Sequence, residues 1–127
     1  MIYATEVKEI GLSAKEFLNE KIMVLFGFNA PFDLRPYCFL IDQNNLEDVI
    51  EVDDILHIND DNYKIIAVGD QVNKNLKDLG HITINFKGDI NNLMAGSLYV
   101  EKKAIGNIEV GTKIVIEKNI NKANKEC

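Results

Sequence analysis

Apolar residues fall in short runs broken by glycine, proline, asparagine and aspartate. That spacing belongs to strands and tight turns rather than to long helices. Residues 2–10 mix alternation with β-forming side chains and stop at Gly11, which predicts a strand. Ser13 with Glu16 has the spacing of a capping box, so a short helix is expected over 14–20, with Phe17 and Leu18 to bury. Ile22 to Phe26 is a continuous apolar run bounded by Gly27, the mark of a core strand. Both prolines lie in 27–36, which reads as a loop; Tyr37 to Ile41 is a second core strand, and Asp42 to Asn45 is turn chemistry.

Further on, Ile55–Ile58 and Tyr63–Val68 flank Asn59-Asp60-Asp61-Asn62 and predict a β-hairpin. Val72, Leu76 and Leu79 stand at helical spacing over 71–79, with Gly80 suited to the position after the helix. His81 to Phe86 alternates cleanly, and Leu98–Val100 and Lys113–Glu117 complete the strands. The expected fold is mostly β: a small antiparallel β-barrel or sandwich with one or two short helices. An α+β sheet carrying one helix on a face is the alternative. Residues 1–118 are expected to form a single β domain and 119–127 a polar C-terminal tail that frays.

Composition narrows the class. With 127 residues and 46% hydrophobic content, the chain suits one buried core. A net charge of −6 speaks against nucleic acid as a partner, because phosphate-backbone binding needs clustered Lys and Arg. Cys38 lies in an apolar run and Cys127 ends the chain, so neither a disulfide framework nor a zinc site is expected. The N-terminus lacks a signal-peptide pattern, and no stretch approaches the ~18 apolar residues of a membrane span. The expectation is a cytoplasmic protein with no direct membrane insertion and no cofactor.

Chemistry has few candidates. Alternation puts Ile82, Ile84 and Phe86 on one face of their strand and His81, Thr83 and Asn85 on the other. The apolar face must be the core, so His81 points to the polar side, next to a glycine that leaves its approach open. A half-buried structural histidine is the competing reading. His57, in Ile55-Leu56-His57-Ile58, reads as a structural histidine at a strand end. The carboxylates at 47–48, 51, 53–54 and 60–61 match no EF-hand loop and read as a solvated acidic edge. Phosphate loops and the GxSxG elbow are absent. A neutral imidazole can attack phosphorus and hold the phosphoryl group reversibly, given exposure and nearby donors. His81 with Thr83 and Asn85 fits that description. Its place just past a helix C-terminus works the other way, favouring imidazolium and disfavouring an added anion.

The segment Asn75-Leu76-Lys77-Asp78-Leu79-Gly80-His81-Ile82-Thr83, followed by Phe86 and Gly88, is similar to a signature of the glucitol/sorbitol-specific IIA proteins of the bacterial phosphoenolpyruvate-dependent sugar phosphotransferase system. Ala30-Pro31, Asp33-Leu34 and Tyr37-Cys38-Phe39 resemble a second block of that family, and Tyr63 with Ala67-Val68-Gly69 a third. The resemblance implies a small β-barrel that accepts a phosphoryl group on histidine from the HPr phosphocarrier protein. It would pass the group to the IIB domain of a IIB/IIC membrane permease. The chain departs from the pattern at one place: the family's assigned phosphohistidine follows the Tyr-Cys-Phe strand, and the matching residue is Ile41. Two readings follow. Either His81 is the acceptor, or the chain is a non-phosphorylated homologue that acts as a regulatory protein-binding module. A metal- or small-ligand-binding barrel is a third reading, resting on the carboxylates alone.

Overall fold

The computed structural model describes residues 1–120. Eight strands close into a barrel: β1 (Tyr3–Ile10), β2 (Ile22–Gly27), β3 (Phe39–Ile41), β4 (Ile55–Ile58), β5 (Asp61–Val68), β6 (Ile82–Asn85), β7 (Ser97–Val100) and β8 (Lys113–Glu117), in the order β1-β3-β2-β6-β7-β5-β4-β8. Helix α1 (Ala14–Asn19) joins β1 to β2, and α2 (Val72–Leu79) joins β5 to β6. The barrel interior is filled by inward-facing side chains, among them Met23, Leu25, Phe39, Ile41, Leu56, Ile65, Ile82, Ile84, Leu98 and Ile116. Closure leaves no unpaired sheet edge.

The mostly β expectation holds, with one refinement. Six strand pairs are antiparallel, but β2–β3 and β6–β7 are parallel. Parallel neighbours need a long crossover rather than a hairpin. Residues 28–38 and 86–96 supply those crossovers.

The first crossover explains why β2 is apolar throughout. Met23 and Leu25 face the barrel core. Phe26 faces outward, yet it is buried in a second cluster with Ala30, Cys38 and Leu40, against which Val24 also packs. A strand covered on both faces carries no polar alternation. Arg35 fastens the covering loop by donating to the carbonyls of Phe28 and Ala30.

Several local expectations are corrected. Ser13 does stand at the N-cap of α1, but its side chain makes no capping hydrogen bond, so the capping box is not formed. Leu79 of the helical stripe is exposed, while Val72 and Leu76 are buried. The hairpin turn is tighter than predicted, because β5 begins at Asp61. Asn59 enables this by adopting a positive φ of 51°. Asp54 is not part of a solvated edge. It is fully buried and accepts hydrogen bonds from the backbone N–H groups of Glu51 and Asn119 and from Lys118 Nζ. The predicted fraying tail begins at Asn119, which is tied to Asp54 in this way; residues 121–127 lie outside the described part.

Candidate functional site

The site is assembled where β2, the end of β3, the end of α2 and the start of β6 meet. Helix α2 stops at Gly80, whose φ of 66° is left-handed and therefore open to glycine at little cost. The N–H of Gly80 bonds to the Leu76 carbonyl and that of His81 to the Asn75 carbonyl, which closes the last turn. The chain then enters β6 at Ile82, one residue later than predicted, with His81 at the threshold. Gly27 permits the close approach of β2, since a Cβ there would lie 2.8 Å from the Leu79 carbonyl oxygen.

Strand register sets the partners of His81. Leu25 pairs with Ile82 across β2 and β6, which puts Phe26 opposite His81 on the outer face. The two rings stack, with centroids 4.2 Å apart and planes 23° from parallel. His81 Nδ1 lies 3.1 Å from the Leu25 carbonyl oxygen. A carbonyl can only accept, so Nδ1 carries the hydrogen, and in the neutral ring the lone pair is on Nε2. Among the described residues Nε2 makes no hydrogen bond. The imidazole is half-buried, fixed in plane by a stacked ring, fixed in tautomer by a backbone carbonyl, and open at one nitrogen.

The sequence placed His81 on the polar face of its strand, and that is where it lies. The groups that hold its ring come from β2, however, rather than from Thr83 and Asn85. Leu25 and Phe26 carried no readable signal, because their tie to His81 spans 56 positions and appears only once β2 and β6 pair. Gln43 was missed as well. Its side-chain amide donates to the carbonyls of Lys77 and Asp78, at 3.1 and 2.7 Å, in the last turn of α2. On the exposed side of that turn, the Lys74 ammonium, 2.7 Å away, holds the Asp78 carboxyl below its ordinary value.

His57 is built differently. Nδ1 faces Asn62 Oδ1 at 2.6 Å and Nε2 faces Glu117 Oε2 at 3.2 Å, so both ring nitrogens are engaged. Its strand, β4, pairs with β5 and β8, whereas β6 pairs with β2 and β7. The two histidines are thus not brought together on neighbouring strands. Ile41 is fully buried in the barrel core. Among the described residues, no three His, Cys, Asp or Glu side chains converge as a metal site requires. Burial pushes the Cys38 thiol up, and its Sγ donates to the Leu34 carbonyl.

Fold and site together define a small closed β-barrel that presents, at its outer surface, an oriented imidazole with one nitrogen unengaged among the described residues. A family model described as "PTS system glucitol/sorbitol-specific IIA component" matches residues 2–115, and the chain belongs to that family. It is 29% identical over 117 residues to the PTS system glucitol/sorbitol-specific EIIA components of Shigella flexneri and of Escherichia coli K12, covering 92% of this chain and 95% of each relative. The crystal structure of a PTS system IIA component from Enterococcus faecalis V583 superposes with a TM-score of 0.82 at 27% identity, over 91% of this chain and 99% of that one.

Proposed function

We propose that this chain is a IIA phosphocarrier whose acceptor is His81 Nε2, within a IIA-like unit spanning residues 1–118. The observation that supports the reading is the tautomer: the Leu25 carbonyl holds the proton on Nδ1 and leaves the Nε2 lone pair unengaged. The donor is an HPr-like carrier bearing a phosphohistidine, the recipient is the IIB component of a IIB/IIC membrane permease, and the exchange takes place in the cytoplasm. No helix among the described residues is long and apolar enough to cross a membrane.

The transfer balances without an external acid. The donor ring enters as an N-phosphorylated imidazolium with a hydrogen on its other nitrogen. The Nε2 lone pair of His81 forms a bond to phosphorus as the donor's P–N bond breaks, and that electron pair returns to the donor's ring nitrogen. The His81 ring becomes an N-phosphorylated imidazolium that retains its Nδ1 hydrogen. The Leu25 carbonyl continues to accept that hydrogen, and the donor leaves as a neutral imidazole. Onward transfer runs the same exchange in reverse, with the recipient's side chain as nucleophile.

The burial of Ile41 favours a second reading, a non-phosphorylated homologue that binds the same partners as a regulatory module. At the position matching the family's expected acceptor stands a core side chain with no nucleophile. Phosphoenolpyruvate, enzyme I and HPr discriminate between the two. The carrier reading predicts an acid-labile phosphoryl adduct by intact mass that disappears in His81→Ala. Absence of the adduct with a cognate donor would overturn the carrier reading and leave the regulatory one.

A further inference from the structure

From the geometry of the α2 terminus we infer that Gln43 is a positioning residue for the phosphorylated state. It satisfies two of the carbonyls at the negative end of the helix beside which the phosphohistidine must form. The inference rests on the assignment of His81 as acceptor.

A helix ends in carbonyls with no partner inside the helix, and their partial negative charge opposes an anion placed beside them. His81 follows α2 after a single residue, so a phosphoryl dianion on its ring would form close to that end. Four carbonyls of the last turns are accounted for. Asn75 and Leu76 accept the N–H groups of His81 and Gly80. Lys77 and Asp78 would be left to solvent, and both accept from the one side-chain amide of Gln43. Gln43 is well placed for this. It lies just beyond β3, and its Cβ is 3.5 Å from where side chains at Gly27 and at Gly80 would begin. The two glycines keep the junction of β2, α2 and β6 tight enough for one amide to span both carbonyls. The electrostatic objection to a phosphoryl group at His81 is thereby reduced by a residue from outside α2 and β6.

The test is the equilibrium constant for phosphoryl exchange between phosphorylated HPr and this chain, at a temperature where circular dichroism shows every variant folded. An equilibrium constant is insensitive to docking rates, and a merely structural clamp would not move it while the protein stays folded. Gln43→Met removes the donors at similar volume and is expected to shift the balance about two- to fivefold toward HPr, the size of a helix-end charge effect. Gln43→Glu should shift it further, and by less at high salt. Gln43→Lys, which restores a donor to the carbonyls, should recover most of the loss. If Gln43→Met does not fold, the Glu and Lys variants carry the comparison. An unchanged constant in Gln43→Glu, or an equal loss in the Glu and Lys variants, overturns the role of Gln43 and leaves His81 as acceptor. Failure of the unmodified chain to take an adduct on His81 overturns both.

Discussion

Phe26 and His81 meet across β2 and β6, and the contact carries a consequence for each residue. Stacking holds the imidazole plane while the Leu25 carbonyl holds its tautomer, so the ring reaches a phosphoryl donor with little left to order. Phe26→Leu keeps most of the buried volume and loses the stack. It should cost about 1 kcal/mol of stability, and slow adduct formation by more than that loss of folded protein explains; an unchanged rate would deny the ring a positioning role. Cys38 makes a separate prediction. Burial raises its thiol above the ordinary range, so less thiolate is present at about pH 8 than in a free cysteine. In a Cys127→Ser background, Ellman's reagent should therefore react with Cys38 only as the protein unfolds, and rapid labelling of the native chain would contradict its burial. Of the site residues, His81 was legible because alternation in one strand is a local signal. Phe26, Leu25 and Gln43 were not, because each acts on the site from a segment far away in sequence.

At the scale of elements, the strands and both helices were legible within a residue or two, since each is a local pattern ended by glycine or turn residues. The parallel pairing of β2 with β3 and of β6 with β7 was not, because a crossover and a wide loop have the same composition. The capping box was misread at α1 for a related reason: its spacing is present, yet Ser13 makes no side-chain cap. Gly80 was read correctly, and its left-handed φ predicts a measurable cost. Gly80→Ala should lower stability in urea by about 1 kcal/mol, and an unchanged midpoint would mean that the end of α2 can relax. The buried carboxylate of Asp54 joins the turn at Glu51 to the end of β8 through Lys118 and Asn119. Asp54→Ala leaves the part-buried N–H groups of Glu51 and Asn119 without that acceptor and should cost roughly 1–3 kcal/mol, read from the urea midpoint; a loss under ~0.5 kcal/mol would show that water replaces it.

For the whole molecule, closure of the barrel by β1 and β8 makes the site depend on distant strands. The register Tyr3 to Ile116 through Glu6 to Lys113 completes the cylinder, and β4 pairs along the other side of β8. The same cylinder keeps Ile41 inside and His81 outside. Membership of the glucitol/sorbitol IIA family was legible from three short blocks of sequence. The assignment of phosphate to one nitrogen was not, because it depends on a carbonyl contributed by β2. With two histidines in the chain, that assignment can be read directly. Uniform labelling of histidine with nitrogen-15, followed by phosphorylation from phosphoenolpyruvate through HPr, resolves every ring nitrogen. The account predicts a one-bond nitrogen–phosphorus coupling at Nε2 of His81, with Nδ1 still bearing its hydrogen. Coupling at Nδ1, coupling in the ring of His57, or no coupling at all would contradict it.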